Sequence, residues 1–187
     1  MIIHCTGAFC VIRGGNMHFN IYYQLLVAVL FCALAPPCLS FIHKRSILHL
    51  LAIICITGIL FITIGVRIFR LGTITQTQNT HQIILSPFWS YREFARADIR
   101  WQVYLNILQF VPFGFIIPQS FLQCRRLWYV VIISTGLSIL IESVQYLLCI
   151  GLCETDDVIH NTVGSILGYS YWHLLSSLQA RFRGKKK

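Results

Sequence analysis

Stretches without Lys, Arg, Asp or Glu dominate this chain and constrain its fold more than any other feature. Residues 14–43, 46–66, 101–124 and 158–180 carry no such charge, and 127–150 carry one, Glu142. A helix needs about 20 apolar residues, at about 1.5 Å each, to cross the hydrocarbon of a bilayer. Trimmed to their apolar parts, the runs predict five spans, over 20–41, 46–66, 101–121, 127–150 and 158–177. Composition agrees. Of the residues, 56% are hydrophobic and 11% charged, against roughly 25% charged in a soluble domain. So little polar surface does not cover a water-soluble globule, and so much apolar surface excludes disorder. The predicted fold is all-α, a polytopic transmembrane helical bundle whose first partner is the lipid bilayer.

The 15 Lys+Arg against 6 Asp+Glu give a net charge of +9. These basic residues flank apolar runs rather than gathering on one face, so nucleic acid is not an expected partner. Lys and Arg in short loops set orientation. Lys44 with Arg45, Arg125 with Arg126, and the tail from Arg181 to Lys187 fall on one side of a five-span bundle. The segment 151–157 has no Lys or Arg. This pattern predicts a multi-pass protein of the cytoplasmic membrane with its C-terminus in the cytoplasm. The segment 67–100 opposes it, with Arg67, Arg70, Arg92, Arg96 and Arg100 on the outside. Residues 1–45 form an N-terminal segment with an extra span, 46–180 a transmembrane domain, and 181–187 a basic tail. Ala33-Leu34-Ala35 resembles a signal cleavage site, but Pro36 and Pro37 follow at once, so the first span reads as retained.

Between the second and third spans, Ser86 sits where an N-cap would, with Pro87 at the first helical position. Trp89 and Tyr91 are interfacial aromatics, and Arg92, Arg96 and Arg100 repeat every four residues. The spacing predicts an interfacial amphipathic helix over 86–100. Its basic stripe also suits an anionic headgroup or a cell-wall precursor. The eight cysteines form no CxxC pair and no His stands at a zinc-ligand spacing, so neither metal nor cofactor is expected. Cys149 and Cys153 are four apart, a poor geometry for a disulfide within one helix.

Polar residues inside the spans carry the functional information. An acid at mid-bilayer costs roughly 2.5–3.5 kcal/mol, so Glu142 should face a partner or a watery cavity. Gln145 lies three residues on, on the same helix face. Asn106 precedes Pro112, which leaves the Leu108 carbonyl without its helical donor. Glu154, Asp156 and Asp157 precede Asn161, which is four residues from Asp157. Measured along their helices, Asn106, Glu142 and Asn161 lie within roughly 12 Å of the outer surface. Asn106, Glu142, Gln145, Glu154, Asp156, Asp157 and Asn161 are therefore the predicted ligand-binding set. Polar glue between helices is the bland alternative. The three acids of 154–157 read as a solvated loop in preference to a divalent-cation site.

Four motifs, taken together, resemble the VanZ-like family. Asn106 to Gly114 resembles its N-x3-F-x-P-F-G stretch, and Glu142 to Gln145 its E-x-x-Q. Glu154 to Gly164 looks like its D-x-D-D-x-x-x-N-T-x-G signature, and Ser86-Pro87-Phe88 matches its short x-P-F element. The motifs stand in the family's order over about 84–172. Glu154 replaces a frequent Asp, Leu152-Cys153 stands where an Arg is common, and Ile84 replaces a frequent Asn. The resemblance implies a membrane protein linked to resistance against teicoplanin-type lipoglycopeptides. An acidic site in the outer leaflet would meet the drug or a lipid-linked cell-wall precursor.

Two other classes stay open. A membrane enzyme acting on a lipid-linked envelope substrate would use Glu142 or Asp157 as general acid or base. The chain has no GxSxG or HExxH, and His160 is the nearest imidazole. A small proton-coupled carrier would use Glu142, although five spans without a repeat argue against it.

Overall fold

The structure, a computed structural model, describes residues 45–65, 68, 83–88, 91, 96–151 and 153–184. The first helix, α1, covers Arg45–Leu60 and loosens into a π-helical turn over Phe61–Gly65. The later helices are α2 at Arg96–Ser120, α3 at Leu127–Leu147 and α4 at Thr155–Gly184, with a 3-10 turn at Leu122–Arg125. A two-residue strand, β1 (Ile83–Ile84), pairs in parallel with β2 (Cys153–Glu154), Ile83 opposite Cys153 and Ile84 opposite Glu154.

Three helical stretches are long and apolar enough to cross a membrane: Arg45–Gly65, Gln102–Ser120 and Leu127–Leu147. They correspond to the spans predicted over 46–66, 101–121 and 127–150. The span predicted over 158–177 is the middle of α4, which starts three residues earlier and is not among the three. The span predicted over 20–41 lies outside the described residues. Outward faces remain apolar, with Leu50 and Ile53 on α1 and Ile132, Ile139 and Leu140 on α3 all exposed. Such faces are compatible with lipid. In hydrocarbon, hydroxyls must bond within their own helix. Thr57 does so to the Ile53 carbonyl at 2.8 Å, and Thr63 to that of Ile59 at 2.7 Å.

The core is built around α2. Phe110, Phe113, Ile116 and Ile117 are buried on it, against Ala52 and Ile59 of α1 and Val130 and Ile141 of α3. Ser120 fastens the end of α2 to the start of α1: its hydroxyl donates to the Leu48 carbonyl at 2.9 Å, and its own carbonyl lies 2.9 Å from His49 Nε2. Pro112 and Pro118 both fall inside α2, yet the helix runs unbroken. It packs closely against α4. Gly164 and Gly168 of α4 lie so close that a Cβ would stand 2.1 Å from the Ile107 carbonyl oxygen and 2.0 Å from that of Val111. Gly114 of α2 meets the Ser165 carbonyl in the same way. This is the close backbone approach that small residues four apart permit between membrane helices.

α3 ends three residues before the predicted 150, in a Schellman turn. The Cys149 N–H bonds the Tyr146 carbonyl at 3.1 Å, and the Ile150 N–H bonds that of Gln145 at 3.0 Å. The left-handed position is Cys149, at φ 56°, where glycine is usual. A side chain there costs about 1 kcal/mol or more. Cys149→Gly is therefore expected to stabilise the purified chain by about 1 kcal/mol, read as a raised melting temperature in detergent. Cys149 and Cys153 are not joined in a disulfide.

The segment 86–100 departs from its prediction at its two described ends, while Tyr91 is helical and residues 89, 90 and 92–95 lie outside the described residues. Ser86 lies in a bend rather than at an N-cap, and Pro87 and Phe88 form a turn. Phe88 has φ 61°, which a helix does not admit. Arg96 and Arg100 belong to the opening turns of α2, which continues to Ser120 instead of lying apart as an interfacial helix. The polar run Arg96-Ala-Asp-Ile-Arg100 extends that helix five residues beyond the predicted 101, since charge alone does not stop a helix.

Candidate functional site

Three polar residues of α2 recur at helical spacing, Gln102, Asn106 and Gln109, and so share one face. That face meets Asp157 and Asn161, one turn apart on α4. Asn106 Nδ2 donates to Asp157 Oδ1 at 2.5 Å, and Gln102 Nε2 reaches the same oxygen at 3.5 Å. Gln109 Nε2 donates to Asn161 Oδ1 at 3.3 Å. Asn161 Nδ2 in turn donates to Ser138 Oγ on α3 at 2.8 Å. One chain of hydrogen bonds thus crosses three helices. Asp157 is 6% exposed and Asn161 2%, while Gln102, Asn106 and Gln109 are half-buried.

The acids converge at the same end of the bundle. Glu142 on α3 is 3% exposed, and its Oε2 accepts the backbone N–H of Glu154 at 3.1 Å. Glu154 immediately precedes α4, and Asp156 and Asp157 lie in its first turn. The unsatisfied N–H groups and positive end of the helix dipole favour carboxylates there. This local stabilisation explains why Glu154 and Asp156 are buried beside Asp157. The solvated loop read from the sequence is thus corrected: 155–157 are helical and all three acids are buried.

Residues 83–88 and Tyr91 are strapped across the start of α4. Besides the β1–β2 pairing, the Thr155 hydroxyl donates to the Ile84 carbonyl at 3.2 Å. The Phe88 N–H donates to Asp156 Oδ1 at 2.6 Å. Tyr91 Oη lies 2.8 Å from His160 Nε2, while the other ring nitrogen, Nδ1, is buried with no hydrogen-bond partner among the described residues. Tyr91 is also partly exposed, as an interfacial aromatic would be. The thiol of Cys153 in β2 is pushed above its usual range, first by burial and then by the charges of Glu142, Asp157 and Glu154. It is kept as a thiol and is a poor nucleophile.

The predicted set therefore divides. Asn106, Asp157 and Asn161 form one network, Glu142 and Glu154 an adjoining pair, and Asp156 holds the strap. Gln145 turns elsewhere: its Nε2 donates to the Thr63 carbonyl in the π-helical turn at 3.3 Å, and its buried Oε1 has no partner among the described residues. Trp89 and Arg92 lie outside the described residues, as do the side chains of Arg96 and Arg100. Among the described residues, no group of three His, Cys, Asp or Glu is arranged to hold a metal ion. Gln102 and Gln109 were not singled out by the sequence reading, although their spacing about Asn106 is a legible signal. Ser138 and the Tyr91–His160 pair carry no such signal, because their partners come from distant elements.

A family model described as VanZ/LLP1 matches residues 46–176. No curated protein and no solved structure matches the chain.

Proposed function

The chain belongs to the VanZ/LLP1 family, and on that premise we propose that it contributes to resistance against teicoplanin-type lipoglycopeptide antibiotics. In this reading it is a five-span protein of the cytoplasmic membrane, its first span drawn from 20–41, its fifth from 158–177, and its C-terminus cytoplasmic. The acid–amide cluster then lies in the outer half of the bilayer. There it receives the polar part of the drug or of a lipid-linked cell-wall precursor.

One observation carries the proposal. Glu142, Glu154, Asp156 and Asp157 are gathered from three elements and buried at one end of an otherwise apolar bundle. Simple glue between membrane helices uses Ser, Thr, Asn or Gln, which cost less to bury than acids. Binding suits the cluster better than acid–base catalysis. Asp157 Oδ1 already accepts two amide donors of the protein, Asn106 and Gln102, which positions the carboxyl as part of a polar recognition surface.

The experiment compares inhibitory concentrations in a susceptible Gram-positive host carrying the gene or an empty vector. The expected result is a raised teicoplanin value with an unchanged vancomycin value. Unchanged values for both drugs would contradict the reading.

A further inference from the structure

The end of the molecule opposite the acids has the reverse electrostatic character. Fifteen residues of α3 separate Leu127 from Glu142, about 22 Å along the helix. At the near end, Arg125 and Arg126 form an exposed corner between the 3-10 turn and α3. The start of α1 lies at this end too, through the Ser120–Leu48 contact, and its Arg45 is exposed. Among the described residues no Asp or Glu shares this end. Four acids are in the buried cluster, and Asp98 is in the first turn of α2.

Aromatic side chains frame the arginine corner. The Tyr169 hydroxyl of α4 donates to the Arg125 carbonyl at 2.7 Å, which fixes the corner against α4. Tyr169 stacks with His173, ring centroids 6.1 Å apart, and lies 5.4 Å from Trp172. On the other side of the corner, Trp128 is 54% exposed. Leu127, next to Arg126 in sequence, is an exposed apolar side chain, and Leu174 on α4 is another at this end of the helix. The corner thus offers two guanidinium groups without a competing acid, an amphipathic aromatic frame and adjoining apolar wall. Guanidinium matches the geometry of phosphate oxygens, the aromatics belong at headgroup depth, and the wall suits acyl chains.

We propose that the Arg125–Arg126 corner, framed by Trp128 and Tyr169, binds the phosphate headgroup of an anionic phospholipid. The apolar wall selects a lipid over a soluble phosphate. The site is independent of the acid–amide cluster and of any role in drug resistance.

The test is native mass spectrometry of the full chain released from detergent. Phosphatidylglycerol or phosphatidylcholine of the same acyl chains is added in separate arms, and inorganic phosphate in a third. Each Arg near an anionic surface contributes about 1 kcal/mol, so the Arg125→Gln/Arg126→Gln variant should lose at least about tenfold in phosphatidylglycerol affinity. Its phosphatidylcholine binding should not change. Arg125→Lys/Arg126→Lys should retain most of the preference, and a melting temperature equal to wild type in the Gln variant verifies its fold. If the Gln variant does not fold, the wild-type arms and the Lys variant still decide. Equal binding of the two lipids by wild type would overturn the proposal. So would full preference in the folded Gln variant, loss of preference in the folded Lys variant, or displacement of phosphatidylglycerol by inorganic phosphate at comparable concentration.

Discussion

Gly168→Ala is expected to destabilise the bundle by about 3 kcal/mol, at the upper end of ordinary overpacking penalties. The reason is what the new methyl group meets. It would stand 2.0 Å from the Val111 carbonyl oxygen, and backbone does not move aside as a side chain end would. Relief requires α2 and α4 to separate along their whole seam, which also pulls Asn106 and Gln109 away from Asp157 and Asn161. Gly136→Ala on α3 is the matched control, since nothing lies within 4 Å of its Cβ position. There the change adds helix propensity and should stabilise by roughly 1 kcal/mol at most. Melting temperatures of the purified chains in one detergent measure the difference. Equal effects at the two positions would show that the seam is not tightly packed.

Asp157→Ala is expected to cost about 2–3 kcal/mol, the scale for losing hydrogen bonds to a carboxylate and leaving their donors without an acceptor. Asn106 and Gln102 both donate to Asp157 Oδ1, and without it each amide is left in a half-buried setting short of an acceptor. Asp157→Asn keeps an oxygen at the same place and should lose less than half as much. Asp157→Ala should also lower the melting temperature more than Ser138→Ala, which removes a single neutral hydroxyl partner of Asn161. The same thermal scans in detergent, run on these variants, measure it. An Asp157→Ala protein as stable as wild type would mean that the amides find other partners and the network does not hold the helices.

The fold was legible where charge interrupts hydrophobicity. Arg45 and Arg126 bracket runs that became α1 and α3 almost residue for residue. The start of α2 was less legible, because Arg96 and Arg100 continue a helix as readily as they flank one. Local chemistry hid three further features. Cys149 takes a left-handed position that sequence assigns to glycine, so the end of α3 was placed too late. Thr155–Asp157 looked like loop because three acids crowd four residues, whereas the helix start is what makes them tolerable. The strap depends on a two-residue strand pair and a positive φ at Phe88, neither of which has a local signal.

The site was legible as a set of residue types and less so as a set of contacts. Helical spacing correctly brought Asp157 and Asn161 to one face, and the same arithmetic finds Gln102 and Gln109 around Asn106. It also put Gln145 with Glu142, and both are buried on α3. Where the Gln145 amide goes depends on the π-helical turn of α1, which no spacing rule on α3 reaches. Gly164, the last residue of the acid-led motif, forms a small-x-x-x-small pair with Gly168, a packing signal that the motif's functional reading obscured.

The central claim is that the buried carboxylates act on a ligand and do not merely hold helices together. The most direct measurement is the teicoplanin inhibitory concentration of a susceptible Gram-positive host. It would carry wild type, Glu142→Gln or Glu142→Asp, at matched protein levels in the membrane. Glutamine keeps the shape and an acceptor for the Glu154 N–H, so the fold should persist while the charge is lost. The account predicts a raised teicoplanin value for wild type and Glu142→Asp, and the empty-vector value for Glu142→Gln. A Glu142→Gln protein as protective as wild type would contradict it.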